Sequence, residues 1–153
     1  MPRRHIVPDV VRNQSLVMLP PDSPVLFAAR RMAERGVSAV LVTEGETLLG
    51  IFTERDMTAR VVAEGRDPAT TTLADVMTAN PHVLAPTGLA GEALAMMRVN
   101  NYRHVPVVEN SRVVGIVSIR DLYAVMHEQL EEDLRDRESF IFGSGYSVNA
   151  TVP

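Results

Sequence analysis

Cysteine is absent from this chain of 153 residues. Its absence excludes disulfides, thiol nucleophiles and thiolate metal sites together, and it fits a reducing compartment. Long apolar runs are absent as well, because no stretch approaches the ~20 apolar residues that a membrane-spanning helix needs. Residues 1–5 lead into no apolar stretch of signal-peptide length. We therefore expect a folded cytoplasmic protein with no membrane partner.

Lysine is also missing, so all fifteen basic residues are arginines, and nineteen acidic residues outnumber them. The formal net charge of −4 argues against a nucleic-acid partner, and the doublets Arg3-Arg4 and Arg30-Arg31 fall short of a basic stripe. The four histidines have no pairing at metal-ligand spacing, and the carboxylates are scattered. The sequence thus predicts neither a nucleic-acid partner nor a metal site.

The chain does contain an internal duplication. Two seven-residue phrases, Gly50–Asp56 and Gly115–Asp121, start at positions 50 and 115, an offset of 65. The same offset, without a gap, carries Leu19 onto Leu84, Pro21 onto Pro86, Ala28 onto Ala93, Met32 onto Met97, Val40 onto Val105 and Val42 onto Val107. Each copy of such a repeat needs a neighbour to bury its apolar face. We therefore expect the functional site where the two copies meet.

Apolar spacing and turn residues give each copy the order β-α-β-β-α. In the first copy, Val17–Leu19 is predicted to be a short strand, and Ser23 to cap a helix that begins at Pro24 and ends before Gly36. A hairpin and a second helix, starting at Thr53, complete the copy. The predicted segments of the second copy are 82–84, 89–100, 104–108, 112–117 and a helix from 119.

The predicted fold class is therefore α/β of the α+β kind, with two repeats forming one intimate pair. The first repeat is expected over residues 8–65 and the second over 73–127. A linker at 66–72 separates them, and its end leads into a short amphipathic segment at 73–77. A C-terminal helix extension and tail are expected over 128–153.

The duplicated phrases have a chemistry of their own. A glycine at the end of a strand lets a ligand or another backbone approach closely. Thr53 and Ser118 stand where a strand turns into a helix, and their hydroxyls and the free N–H groups behind them favour an anion such as phosphate. Asp56 and Asp121 follow one turn later. A single carboxylate there can accept hydrogen bonds from two adjacent hydroxyls, such as those of a ribose.

Arginines accompany both phrases and make the two copies chemically unequal. Arg55 and Arg120 precede the two aspartates and can bind a phosphate tail. Arg103 and His104 stand at the head of a strand in the second copy, where the first copy has serine and alanine at 38–39. The cleft that uses Arg103 and His104 is expected to take the more charged ligand.

This arrangement resembles a tandem pair of CBS domains, the Bateman module, over roughly residues 8–127. The resemblance rests on the β-α-β-β-α order, on the paired Gly-hydrophobic-x-Ser/Thr-x-x-Asp phrases and on Arg103–Val108. It implies a regulatory, non-enzymatic protein that binds AMP, ADP or ATP between its repeats, with no obligatory cofactor. It also implies a homodimer assembled through the repeat helices. The binding residues that it implies are Thr53, Arg55, Asp56, Arg103, His104, Ser118, Arg120 and Asp121.

Several alternatives stay open. The Thr53–Asp56 and Ser118–Asp121 pairs are also variants of the helix capping box, and they can serve helix starts alone. A purely structural dimerisation module with vestigial clefts would need no more than that. Another adenosine compound, such as S-adenosylmethionine or NADH, would use the same ribose carboxylate. An enzyme acting on a nucleotide is the third alternative, although no activated-nucleophile motif is present. His104 can equally be an ordinary half-buried histidine.

The C-terminal segment departs from the repeat. An apolar row, formed by Leu122, Met126, Leu130 and Leu134, is predicted on a helix that continues past the second copy. The aromatic segment Phe140–Tyr146 follows, and its two glycines predict an irregular structure. The segment is expected either to dock on a second subunit or an unidentified protein effector, or to pack on its own domain.

Overall fold

The computed structural model describes residues 4–11, 14 and 16–149, with the backbone alone for 142–149. The first copy contains a short strand, a helix, a hairpin and a second helix, as predicted. Their bounds are β1 Met18–Leu19, α1 Val25–Arg35, β2 Ala39–Glu44, β3 Thr47–Thr53 and α2 Glu54–Asp56, which continues as a π-helical segment Met57–Val62.

Helix α1 begins one residue later than predicted. Pro24 is its N-cap in extended conformation, with ψ of 143°, so the prediction that Ser23 caps the helix is wrong. The physical reason is a contact outside the helix, because Pro24 forms an isolated antiparallel bridge with Thr72 and stays extended there. Gly36 ends the helix as predicted, in the left-handed conformation with φ of 63° that glycine adopts without strain.

A short link joins the copies and the second copy follows. The bounds are α3 Leu73–Val76, β4 Thr78–Ala79, α4 Ala90–Asn100, β5 His104–Glu109, β6 Arg112–Ser118 and α5 Ile119–Asn149. Strand β4 was not predicted. The strand predicted at 82–84 is reduced to one parallel bridge between Leu84 and Val107. The ladder stops there because Pro106, the next donor in a parallel pairing, has no N–H.

The described strands form two sheets, each built on the hairpin of one copy, and the first sheet also takes in β4 from the start of the second copy. The first has the order β1-β2-β3-β4, with β1 parallel to β2 and the other neighbours antiparallel. The second consists of the antiparallel hairpin β5-β6. A small cluster between the sheets contains buried Leu41 and Ile51 of the first copy and partly buried Ile116 of the second. The α+β class of the prediction is thus confirmed.

A short lead-in segment at the start of each copy packs on the opposite copy. Ile6 and Val11, in the lead-in before β1, are buried in the core of the second copy. Leu73 and Val76, in the lead-in at the start of the second copy, are buried in the core of the first, with Phe52. This crossing makes the two copies one intimate pair, because neither core is complete without residues from the other side of the linker.

Helix α5 is longer than the repeat requires, and its apolar row divides into two parts. Leu122 is fully buried and Met126 packs against the second core, whereas Leu130 and Leu134 are exposed. The helical backbone continues through Gly143 to Asn149, so the predicted irregular structure of Phe140–Tyr146 is wrong. The side chains of residues 142–149 lie outside the described part. No helix within that part is both long and apolar enough to span a bilayer.

Candidate functional site

The two copies enclose one large cleft with a volume of about 1610 Å³. It lies where the β3–α2 junction of the first copy and the β6–α5 junction of the second come together. All eight predicted binding residues line it, namely Thr53, Arg55, Asp56, Arg103, His104, Ser118, Arg120 and Asp121. The structure therefore brings together, in one place, residues that lie as far apart in the chain as 53 and 121.

The first phrase forms a complete capping box at the start of α2. Oδ2 of Asp56 accepts hydrogen bonds from the backbone N–H of Thr53 at 3.0 Å and from its hydroxyl at 3.2 Å, and the N–H of Asp56 donates to Thr53 Oγ1 at 3.4 Å. Oδ1 of the buried Asp56 takes no part in the box. It lies 3.7 Å from Nε of Arg60.

The second phrase repeats the box at the start of α5. The backbone N–H of Ser118 donates to Oδ2 of Asp121 at 3.2 Å, and the N–H of Asp121 donates to Ser118 Oγ at 3.1 Å. The capping alternative is therefore correct for both phrases as far as the helix starts are concerned. It leaves the second carboxylate oxygen of each aspartate outside the box, where a ligand hydroxyl can donate to it.

The two phrase arginines differ in their contacts. Nη1 of Arg55 donates to the backbone oxygen of Asn101 at 2.7 Å, which ties the first copy to the end of α4 in the second. Within the described chain, Arg120 makes no hydrogen bond or ion pair, although it stands at the matched position of the second copy. Arg120 is thus the phrase arginine whose donors are all available to an anion.

His104 of the second copy makes another contact with the first copy. Its Nε2 lies 2.9 Å from Oγ of Ser38, at the head of β2. Burial lowers the pKa of His104 below its ordinary value; the negative charges of Asp121 and Glu54 oppose the shift, and the positive charge of Arg103 adds to it. The imidazole is therefore held towards its neutral form.

The two phrase glycines are explained by close packing. A Cβ on Gly50 would lie 2.8 Å from the backbone oxygen of Thr78, and one on Gly115 would lie 2.7 Å from a methyl carbon of Val11. The lead-in segment of the opposite copy therefore occupies the space beside each glycine. Of the two reasons that the sequence offered, close approach of the chain itself accounts for both glycines.

The polar residues that line the cleft and that sequence reasoning missed include Arg60, His82, Tyr102 and Gln14. Arg60 donates to the carbonyl oxygens of Val76 and Met77, beside Asp56. Tyr102 and His82 are joined by a hydrogen bond of 2.9 Å, and Gln14 pairs with both backbone groups of Ile116. These four were missed because the prediction considered residues that recur in both copies. Arg60, for example, does not recur, since Val125 stands at the matched position of the second copy. Only the aromatic ring of Tyr102, next to the predicted Arg103, was a usable signal.

Comparison with known proteins is consistent with this duplicated architecture. The family model described as CBS domain matches twice, over residues 7–63 and 73–128. The chain belongs to the CBS-domain family. The CBS domain-containing protein CBSCBSPB3 of Arabidopsis thaliana is 42% identical over 110 residues, which cover 71% of this chain. The matched region is only 20% of that relative's length.

Solved CBS structures share the fold. A putative signal-transduction protein with CBS domains from Burkholderia ambifaria is 30% identical, with a TM-score of 0.72 over 76% of this chain and 90% of that one. The CBS domain protein PAE2072 from Pyrobaculum aerophilum, solved in complex with AMP, is 28% identical, with a TM-score of 0.70 over 78% and 94% of the two chains. The prediction of a tandem CBS pair is confirmed.

Proposed function

We propose that this CBS pair is a regulatory, non-enzymatic module that binds an adenine nucleotide in the cleft between its repeats. The observation that carries the proposal is that all eight candidate residues line one cleft. Six of them come from the two duplicated phrases, and Arg103 and His104 come from the start of β5. The AMP complex of the Pyrobaculum aerophilum relative supports an adenosine ligand. AMP, ADP and ATP are the ligands proposed, and a cytoplasmic location belongs to the same proposal.

Each aspartate has a defined task in this proposal. Oδ2 caps the helix, and Oδ1 accepts hydrogen bonds from the ribose hydroxyls. The unpaired guanidinium of Arg120 and the nearby Arg103 hold phosphate oxygens, because an arginine fork matches two of them at once. The half of the cleft around Asp121 therefore takes the more charged end of the ligand.

The ligand signals by changing how the two repeats pack. Two of the contacts that bridge the repeats inside the cleft are a hydrogen bond from Arg55 to Asn101 and a contact between Ser38 and His104. A nucleotide that engages Arg55 or His104 competes with these contacts. It therefore favours a packing different from that of the empty pair, and the differential affinity is passed on to a partner.

The module acts as a homodimer in this proposal. The repeat helices expose large apolar side chains to solvent: Phe27 on α1, Val62 after α2 and Val99 on α4. A second copy that covered these helix faces would bury them. In a twofold dimer the same faces of both subunits form the interface, so the apolar side chains of both copies would be buried. An unidentified protein effector would then receive the signal from the assembled pair.

A thermal-shift and calorimetry panel with AMP, ADP, ATP, S-adenosylmethionine and NADH tests the proposal. A ligand at a hundred times its Kd stabilises the folded state by about 2.7 kcal/mol. Loss of that shift in the Asp56→Ala/Asp121→Ala double variant, with retention in Asp22→Ala, is the expected result. Asp22 is an exposed carboxylate outside the cleft. Flat titrations with every compound would favour the structural dimerisation module, and turnover of any of them would favour an enzyme.

A further inference from the structure

One wall of the cleft carries two rings fixed against each other. The hydroxyl of Tyr102 lies 2.9 Å from Nδ1 of His82, and the ring centroids are 5.7 Å apart with a tilt of 54°. The amide of Asn100 also donates to the Tyr102 hydroxyl, at 3.4 Å. The half-buried Tyr102 packs against the second core and still lines the cleft. Its ring is therefore held in place before any ligand arrives.

Direct contacts connect this wall to the half of the cleft that contains Asp56. Asn101, the neighbour of Tyr102 in the chain, accepts the hydrogen bond from Arg55. On the other side, Arg60 links Asp56 to Met77, and the chain continues from there through β4 to His82. The first phrase and the aromatic wall thus face the same part of the cleft.

The matched positions of the first copy provide no aromatic ring to the cleft. Val37 stands where the second copy has Tyr102, and Val17 stands where it has His82, at the offset of 65. Both valines line the cleft, and neither offers a π surface. The two halves of the cleft therefore differ in the kind of flat group that they can hold.

We propose that Tyr102 is the stacking surface for the purine base of a nucleotide whose ribose is held by Asp56. This inference rests on the proposed function and deepens it. The half-site around Asp56 selects ligands that carry an aromatic base over bare ribose phosphates, because a base gains stacking on a fixed ring that a sugar phosphate cannot gain. The half-site around Asp121 makes this distinction less strongly.

The experiment isolates the Asp56 half-site by using Asp121→Ala as the parent. Calorimetry measures Kd for AMP and for ribose 5-phosphate with the parent and with added Tyr102→Leu, Tyr102→Phe or Tyr123→Leu. Stacking contributions predict that Tyr102→Leu weakens AMP binding by about fivefold or more. We expect ribose 5-phosphate to bind the parent and Tyr102→Leu equally. Tyr102→Phe keeps the ring and should bind AMP like the parent. Tyr123→Leu removes an exposed tyrosine outside the cleft and is the matched control.

A second readout covers the case in which Tyr102→Leu folds poorly. The chain has three tyrosines and no tryptophan, so quenching of tyrosine fluorescence by AMP reports on stacking, and it should be lost in Tyr102→Phe. Equal AMP affinity in the parent and Tyr102→Leu, equal losses for AMP and ribose 5-phosphate, or unchanged quenching in Tyr102→Phe would overturn the inference. Binding of AMP by the wild type but not by the Asp121→Ala parent would overturn it and leave the proposed function standing. No binding of AMP by the wild type would refute both.

Discussion

Oγ of Ser38 lies 2.9 Å from Nε2 of His104, and this contact joins the two CBS repeats inside the cleft. The residues occupy neighbouring positions at the heads of β2 and β5. Because the serine belongs to one repeat and the histidine to the other, a change in the charge of His104 acts on both. The contact is therefore a point at which pH and ligand binding influence the packing of the repeats.

We predict that the stability of the pair falls as the pH drops below the ordinary histidine pKa of about 6.5. Burial lowers the folded-state pKa of His104, while Asp121, Glu54 and Arg103 modify the shift. The unfolded chain therefore takes up the proton first. The contribution of His104 to stability is fully present above about pH 6.5 and is lost as the pH falls towards the folded-state pKa.

Urea unfolding of the wild type and His104→Gln between about pH 7.5 and 5 measures this effect. The free energy of unfolding should fall less steeply with pH in the variant, because glutamine takes up no proton. His127→Gln is the control, since His127 is exposed on α5. Equal slopes in His104→Gln and the wild type would show that another group governs the acid side.

Matched positions explain how much of this site could be read from the sequence. The duplicated phrases identified Thr53, Asp56, Ser118 and Asp121, and the cleft brings all four together. Arg60 and Tyr102 escaped because they occur in one copy only. What they do depends on the segment 76–82, whose path between the repeats is set by tertiary packing. Local patterns contain no information about that path.

The two capping boxes lead to a prediction that separates their structural role from ligand binding. Asp56→Ala and Asp121→Ala should each weaken nucleotide binding at least tenfold, because hydrogen bonds to a charged group contribute about 1.5–3 kcal/mol. Asp56→Asn and Asp121→Asn keep a side-chain oxygen for the cap, so they should lose affinity and retain more stability than the alanine variants. Calorimetry and thermal unfolding of all four variants measure both properties. Lower stability with unchanged affinity would leave the aspartates as caps alone.

The phrase glycines predict a graded loss of stability. Alanine at Gly50 would place its Cβ 2.8 Å from the backbone oxygen of Thr78, which cannot move without distorting β4. Gly50→Ala should therefore cost about 1–3 kcal/mol of unfolding free energy. Gly115→Ala meets side-chain atoms of Val11 and Gln14 and should cost less, because side chains can shift.

Gly91 on α4 is the matched control for the two phrase glycines. A Cβ there meets nothing within 4 Å, and alanine favours a helix, so Gly91→Ala should be neutral or stabilising. Thermal or urea unfolding of the three variants gives the order. Equal costs at Gly50 and Gly91 would contradict close packing as the reason for the phrase glycine.

Two of the predictions that failed share a physical cause. Pro24 was expected to start α1 and residues 82–84 to form a strand, and both expectations followed local patterns. The bridge to Thr72 keeps Pro24 out of the helix, and the missing N–H of Pro106 shortens the strand. Thr72 and Pro106 each lie more than twenty residues along the chain from the element that they affect. Elements that follow local patterns were therefore predicted well, whereas these two, which are decided by a contact with a distant segment, were not.

The exposed end of α5 leads to a prediction about self-association. Leu134 is 57% exposed and Phe140 is 75% exposed, so this part of the helix buries little apolar surface within its own chain. In the proposed homodimer, the same exposed part of α5 from the second subunit can pack against this one and bury both symmetrically. Removing residues 138–153 should therefore raise the dimer Kd by tenfold or more, because burial of one phenylalanine contributes roughly 1.5–3 kcal/mol.

Sedimentation of the full and truncated chains across a dilution series measures that change, with a chain ending at residue 146 as the control that keeps Phe140 and Ile141. The control should associate like the full chain if these residues form the contact. Limited proteolysis provides the second measurement, because an α5 end that is buried between subunits is protected at high protein concentration and cut on dilution. Identical association of all three chains, with cutting that does not depend on concentration, would remove the tail from the dimer contact. The repeat helices would then be left as the dimer surface, since Phe27 and Val99 on α1 and α4 are exposed independently of α5.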